Sequence, residues 1–342
     1  MSSKLQSEAH FEGTALGVLS RQFTRPKPLP QDIQLTDQVA IVTGSNVGIG
    51  FEASRQLLRL GLSHLIMGVR SQTRGDAAAD ALRREFPGSN ISVWLLDHES
   101  YDSIRAFVSR CETLPRIDFA ILNAAVAKQN FTRVSATGHE TMMQVNYLST
   151  VLLTILLLPL LKAKGKATGG HRPPVISLVG SDTAYTSQVD LKASSALKQV
   201  DNPEGFVQMA WYGKSKLLLT FFIITLANHV DPNDVLVNMV NPGLTRGTDI
   251  KRELPSVYGA VLTMLYLVVG RSAAVAATTY VDAVVAHGPE THGCFLGDWG
   301  IKPYPEVCYT EEGKEFGERL WEETMKELDF AGVQDNILSM KN

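Results

Sequence analysis

The stretch Val39–Gly50, VAIVTGSNVGIG, decides how the chain is read. Val39 to Val42 is a short apolar run rich in β-branched residues, which suits a buried strand. Gly44, Gly48 and Gly50 follow in a G-x3-G-x-G pattern, with Ser45, Asn46 and Ile49 filling the turn. FEASRQLLRLGL then sets Ala53, Leu57, Leu58 and Leu60 at helical spacing. A strand, a glycine turn and a helix start together make a diphosphate site. Residues without Cβ let backbone approach the ligand, and the helix N-terminus offers unpaired N–H groups and a positive dipole end. The spacing differs from G-x-G-x-x-G, and a tight strand-to-helix turn alone would also explain Gly44. The rest of the chain has to decide.

Outward from this turn, strand-like runs recur at Leu65–Val69, Ile91–Leu96, Ile117–Leu122, Val175–Val179 and Val235–Val240. Helix-like segments lie between them at Gln72–Phe86, Ser100–Cys111, His139–Lys162 and Met209–His229. The alternation predicts an α/β fold with a doubly wound, Rossmann-like parallel sheet. Such a sheet binds ligands at the carboxyl ends of its strands. Gly44, Arg70, Asp97, Asn123, Ser181 and Asn241 stand at or just past those ends. The expected organisation is an N-terminal arm over residues 1–36, one catalytic domain over 37–300 and a helical extension over 301–342. RPKPLP at Arg25–Pro30 reads as extended, with Phe11 and Leu16 offering points of packing. Asp182–Ala210 is a polar insertion of the kind that faces substrate. The tail carries a strand-like GCFLGDW and an acidic-start helix, Glu311–Leu328.

The 342 residues are 44% hydrophobic and 20% charged, which suits a globular chain with a full core. A net charge of −3 gives no electrostatic case for nucleic acid or an anionic membrane. Cys111, Cys294 and Cys308 form no C-x-x-C pair and read as reduced thiols of a cytoplasmic protein. Residues 1–38 contain no apolar core long enough for a signal peptide. Tyr147–Leu161 and Val257–Gly270, about 15 and 14 residues, fall short of the roughly 18 to 20 that span a bilayer. Both read as buried helices, the second also as a peripheral membrane contact or the cover of an apolar substrate. His98, His139, His171, His229, His287 and His292 share no metal-ligand spacing, so no metal is expected. There is no G-x-S-x-G elbow.

Tyr212 and Lys216 stand four apart in WYGKSKLLLTFF, which puts both on one helix face. A phenol with an ordinary pKa near 10 is a poor base at neutral pH. A neighbouring ammonium lowers that pKa, so the pair suits moving a proton on or off an alcohol. Tyr185 and Tyr258 have Val189 and Leu262 in the lysine's place, which singles out Tyr212.

TGSNVGIG at Thr43–Gly50, LNAA at Leu122–Ala125, VNYLS at Val145–Ser149, Ser181 ending SLVGS, Tyr212-x3-Lys216 and NPG at Asn241–Gly243 occur in that order. Together they resemble the short-chain dehydrogenase/reductase family over roughly residues 36–300, nearest to its retinol-dehydrogenase-like branch and to fungal members. The resemblance implies that Tyr212 is the general acid or base and that Lys216 lowers its pKa and bonds the nicotinamide ribose. It implies that Ser181 donates to the substrate oxygen and that Asn146 holds a water linking Lys216 to solvent. Asp97 resembles the adenine contact. Asn123, with Ala124 beside it, resembles the residue that braces the fourth strand and lines the cofactor cleft. Pro242, Gly243 and Thr245 would line the nicotinamide end, with Thr248 as the alternative threonine. Arg70 ends the second strand, where a guanidinium matches a ribose 2′-phosphate and an acid would repel it, so NADP(H) is expected over NAD(H). Two departures stand out: Ala125 replaces a glycine, and Gly180 stands where a serine is common. The expected activity is NADPH-dependent reduction of a fairly apolar carbonyl compound by a monomer or homodimer. A non-redox isomerase or cyclase on the same scaffold and an NADPH-binding redox sensor are the rivals.

Overall fold

The computed structural model describes residues 1–167, 172–246 and 269–341. Among these, eight strands form one sheet in the order β3-β2-β1-β4-β5-β6-β7-β8. They are β1 Val39–Thr43, β2 His64–Val69, β3 Asn90–Leu95, β4 Phe119–Leu122, β5 Val175–Val179, β6 Leu236–Asn241, β7 Phe295–Gly297 and β8 Gly300–Lys302. All neighbours pair parallel except β7 and β8. The strand order reverses at β1, which pairs with β2 on one side and β4 on the other, so a crevice opens between β1 and β4 at their carboxyl ends.

Every residue of β1, β4, β5 and β6 is buried, so these strands read as unbroken apolar runs. Alternate side chains point to opposite faces. Val39 and Ile41 join the core under α5 (Tyr101–Cys111), α6 (Ser149–Ala167) and α7 (Gln208–Ala227). Ala40 and Val42 join the other core, under α3 (Gly48–Arg59), α4 (Gln72–Glu85) and α8 (Ala273–Val285). The doubly wound α/β architecture is the one the alternation predicts.

Three segments differ from expectation. Residues 1–36 hold two helices, α1 (Gln6–Glu12) and α2 (Ala15–Phe23), where an arm was expected. Thr14 caps α2 by accepting from the Gly17 N–H at 3.0 Å. Its helices bury Glu12, Arg21 and Gln22 beside Ala9, with Ser2 buried just before them, while Phe11 and Leu16 are 48% and 70% exposed. Hydrophobicity therefore pointed to the wrong residues. At the other end β7 continues through a two-residue turn into β8. Asp298 and Trp299 both have positive φ, 52° and 59°, the hairpin pattern usually filled by Asn-Gly. An ion pair from Asp298 to Arg271 and a 2.9 Å bond from Trp299 Nε1 to Thr278 Oγ1 hold the turn. Third, the apolar run Tyr147–Leu161, by itself too short to span a bilayer, lies inside a longer apolar helical stretch. Met143–Lys166 is 24 residues, long and apolar enough to cross a membrane, yet 83% of its most apolar window is buried inside the protein. Of the second run, residues 257–268 lie outside the described residues.

The tail helix α9 (Glu311–Glu327) begins at Thr310, whose hydroxyl accepts from the Gly313 N–H at 3.0 Å. It packs on α7, with the Phe316 and Phe221 rings 5.2 Å apart. The back of the helix that carries Tyr212 and Lys216 is thus supported by the C-terminal segment.

Candidate active site

The glycine turn is built by close approach. Gly44 and Gly48 have φ of +64° and +63°, where a side chain is disfavoured. A Cβ on Gly50 would lie 2.6 Å from Asn123 Nδ2 and 2.8 Å from Gly44 O, and one on Gly44 would lie 3.1 Å from Ala124 Cα. Around Gly48 nothing lies within 4 Å, so this glycine borders open space. Helix α3 starts there behind Val47, whose side chain supplies no cap. Its first N–H groups are left for another partner. Ser45 Oγ is buried in the same turn with no hydrogen-bond partner, while Asn46 and Ile49 are half-buried.

The end of β4 braces this turn. Asn123 Nδ2 donates to Thr43 O at 2.9 Å and to Gly44 O at 3.3 Å, and the Ala124 N–H donates to Thr43 Oγ1 at 2.9 Å. Tyr280 Oη, from α8, donates to Asn123 Oδ1 at 3.2 Å and so fixes which way the amide faces. Sequence reasoning missed Tyr280, a lone tyrosine in an apolar helix. Ala125 costs no strain in its glycine's place, since among the described non-glycine residues only Asp37, Asp298 and Trp299 have positive φ.

At the ends of β2 and β3, Arg70 is largely exposed, its guanidinium 3.3 Å from Glu99. Asp97 Oδ1 accepts from the Glu99 N–H at 3.0 Å. Arg70, Glu99 and Asp97 therefore form one rim on the far side of the glycine turn.

Asn146 lies in a π-helical stretch, Met143–Leu148, that leads into α6. Such extra-residue turns re-aim side chains and recur at functional sites. Asn146 is fully buried. Its Oδ1 accepts from the Val126 N–H at 2.8 Å, and its Nδ2 donates to Val126 O at 2.9 Å and Ser215 Oγ at 3.1 Å. Ser215 immediately precedes Lys216 on α7.

Tyr212 and Lys216 stand one turn apart on α7, 6% and 2% exposed. The Lys216 ammonium lies 5.8 Å from the Tyr212 ring centroid. Lys216 Nζ donates to Val179 O at 2.8 Å, which brings it to the end of β5, two residues before Ser181. Burial pulls its pKa down from 10.5 to about 7. Ser181 caps a short 3-10 turn, Asp182–Thr186, its Oγ accepting from Thr183 Oγ1 at 2.9 Å. That turn packs on α7 at Gly213, where a Cβ would lie 2.1 Å from Ser187 Oγ. The glycine after Tyr212 thus permits the contact between the tyrosine's helix and the serine's loop. Gly180 has a similar reason: a Cβ there would meet Met239 Sδ at 2.9 Å.

At the end of β6, Asn241 donates to Asp182, and its Oδ1 accepts from the Gly243 N–H at 3.1 Å. Gly243 has φ +73°. Pro242 O accepts from Arg271, and Thr245 is buried, its hydroxyl donating to Gly243 O at 3.0 Å. Thr248 lies outside the described residues. Beside the Ser181 loop opens a groove of about 890 Å³. Its walls mix Met209 and Trp211 with Glu204 and Lys214. Among the described residues no cluster of His, Cys, Asp and Glu is arranged to hold a metal ion.

The six strand ends thus carry a glycine turn at the point where strand order reverses, with a buried Tyr–Lys pair at the end of β5. This is the layout of an α/β dinucleotide-fold protein. The family model described as short chain dehydrogenase matches residues 38–189. The short chain dehydrogenase virL of Hypocrea virens is 58% identical over 341 residues, covering 100% of this chain and 99% of its own length. The short chain dehydrogenase/reductase mfmJ of Annulohypoxylon moriforme is 44% identical over 319 residues, covering 93% and 92%. Among solved structures, a short chain dehydrogenase from Shigella flexneri 2a complexed with NADP superposes with a TM-score of 0.58 at 20% identity, covering 79% of this chain and 100% of that one. The chain belongs to the short-chain dehydrogenase/reductase family, a family of nicotinamide-dependent oxidoreductases.

Proposed function

We propose that the chain transfers hydride between NADP(H) and the carbonyl or alcohol carbon of a small, fairly apolar molecule, as a ketone or aldehyde reductase of fungal secondary metabolism. One observation carries the reading: Lys216, buried beside Tyr212, reaches the strand end that presents Ser181. The glycine turn fits a dinucleotide, since Gly48 borders open space, α3 begins without a side-chain cap and Ser45 Oγ is buried without a partner. Arg70, exposed at the end of β2, is suited to a 2′-phosphate. The Shigella neighbour complexed with NADP supports the same cofactor class.

The nicotinamide, when bound, supplies or accepts the hydride. The proton is the chain's own task. Tyr212 gives its hydroxyl proton to the carbonyl oxygen in reduction and takes it back in oxidation. Ser181 Oγ already accepts from Thr183, so its own O–H is left to donate to the substrate oxygen, where negative charge develops. Lys216, held near a pKa of 7, exchanges a proton readily at neutral pH and is suited to resupply the phenol. Asn146 has both amide hydrogens engaged by Val126 and Ser215, which leaves the second lone pair of Oδ1 for the water of the relay.

Tyr212→Phe tests the reading. Turnover of NADPH with candidate ketones, followed by cofactor absorbance, should fall by at least about a hundredfold, while NADPH affinity stays within about twofold. Product formation without NADPH consumption would favour an isomerase. An unchanged phenotype in a protein that binds NADPH would favour a sensor.

A further inference from the structure

The polar docking of the N-terminal segment meets the cleft at one place. Gln22, the next-to-last residue of α2, is buried, and its amide is fully engaged. Nε2 donates to Leu244 O at 2.9 Å and to Val269 O at 3.0 Å, and Oε1 accepts from the Leu244 N–H at 2.8 Å. The neighbouring Arg21 carbonyl accepts from Arg271, which also donates to Pro242 O at 3.2 Å. Arg21 Nε lies 3.2 Å from Asp182, which in turn accepts from Asn241. The bare face of Gly243 lets this cluster in: a Cβ there would lie 2.8 Å from Gln22 Oε1 and 2.8 Å from the Arg271 guanidinium.

We propose that Gln22 is a positioning residue for the nicotinamide end of the cleft, holding the Pro242–Thr245 turn through both backbone groups of Leu244. This rests on the dinucleotide reading given above. The turn is tied on its strand side by the Gly243 N–H to Asn241 Oδ1 and the Arg271 N–H to Leu244 O, and Gln22 ties it from α2. The Leu244 C=O is shared between Gln22 Nε2 and the Arg271 N–H at 2.8 Å, whereas Gln22 Oε1 is the acceptor its N–H finds, so the arrangement in which Gln22 reaches both groups is favoured. Thr245, next along the chain, is thereby set in depth and direction. Among the described residues, Arg70 and Asp97, at the adenosine end, share no bond with this cluster.

That separation supplies the test. Gln22→Met keeps length and shape and removes the bonds, and Gln22→Glu keeps only the acceptor for the Leu244 N–H. Binding of NADPH and of 2′,5′-ADP, which lacks the nicotinamide, is measured by calorimetry on the full chain. Wild type should bind both. Gln22→Met should weaken NADPH by about five- to tenfold, as expected for one or two lost bonds, and leave 2′,5′-ADP within about twofold. Gln22→Glu should show the same selectivity, so the test survives a poorly folding Met variant. Thr14→Ala removes the cap of the same helix and should leave the ratio of the two affinities unchanged. Equal loss for both ligands, no loss for either, or a Thr14→Ala effect matching that of Gln22 would overturn the proposal. A wild-type chain that binds neither ligand would overturn the dinucleotide reading itself and this proposal with it.

Discussion

Lys216→Met offers a test in which loss of a central side chain should stabilise the protein. Lys216 is 2% exposed, and its ammonium donates to Val179 O and lies 5.8 Å from the Tyr212 ring centroid. Burial lowers its pKa from 10.5 to about 7. The sign follows from which state holds more protons. Between about pH 7 and 10.5 the unfolded lysine is charged and the folded one neutral, so stability rises with pH across that window. Below about pH 7 both states are charged and the full burial penalty is present. At about 1.4 kcal/mol per pH unit, the penalty is at most about 5 kcal/mol. Methionine escapes it and forfeits the Val179 bond, worth about 1 kcal/mol. The ligand-free variant should therefore be more stable than wild type by about 3 to 4 kcal/mol near pH 6, and within about 1 kcal/mol of it near pH 10. Urea denaturation at several pH values measures this directly, provided the slopes agree. A variant less stable than wild type near pH 6, or a difference that does not change with pH, would refute the assignment of Lys216 as a buried, poorly compensated ammonium.

Other substitutions probe the remaining parts. Gly213→Ala gains up to about 1 kcal/mol of helix propensity but forces a Cβ to 2.1 Å from Ser187 Oγ. A net loss of about 1 to 2 kcal/mol and lower turnover are expected, with Gly213→Ala/Ser187→Ala recovering stability in the same urea assay. Arg70→Glu should lower the NADPH-to-NADH preference by about tenfold or more, read from kcat/KM with each cofactor. Tyr280→Phe removes the phenol that orients Asn123 and should weaken NADPH binding by about three- to fivefold, in line with about 1 kcal/mol; unchanged affinity would leave Tyr280 a packing residue.

Much of this was legible in the sequence because parallel strands buried on both faces announce themselves as apolar runs, and the residues just past them fall at the cleft by topology. Val39–Gly50 and Ser181 were read that way, and the Tyr212–Lys216 pair from its spacing of four on one helix face. The N-terminal helices were not, because they dock through Glu12, Arg21 and Gln22 while Phe11 and Leu16 face outward. Nor was the Asp298–Trp299 turn, which adopts left-handed geometry without a glycine and depends on Arg271 and Thr278, distant in sequence. The π-helical stretch at Asn146 likewise has no local signature, and the partners of its amide, Val126 and Ser215, are 20 and 69 residues away in the chain. Tyr280 became visible once β4 and α8 were placed in contact.

The proposed chemistry is tested most directly by following isotope into product. With NADPH deuterated at the transferred position of the nicotinamide ring and a ketone the enzyme turns over, mass spectrometry of the alcohol should find one deuterium on the carbinol carbon. Tyr212→Phe should form almost none of that alcohol while binding the cofactor normally. Alcohol or isomer formed without deuterium, or turnover in the phenylalanine variant equal to wild type, would contradict the account.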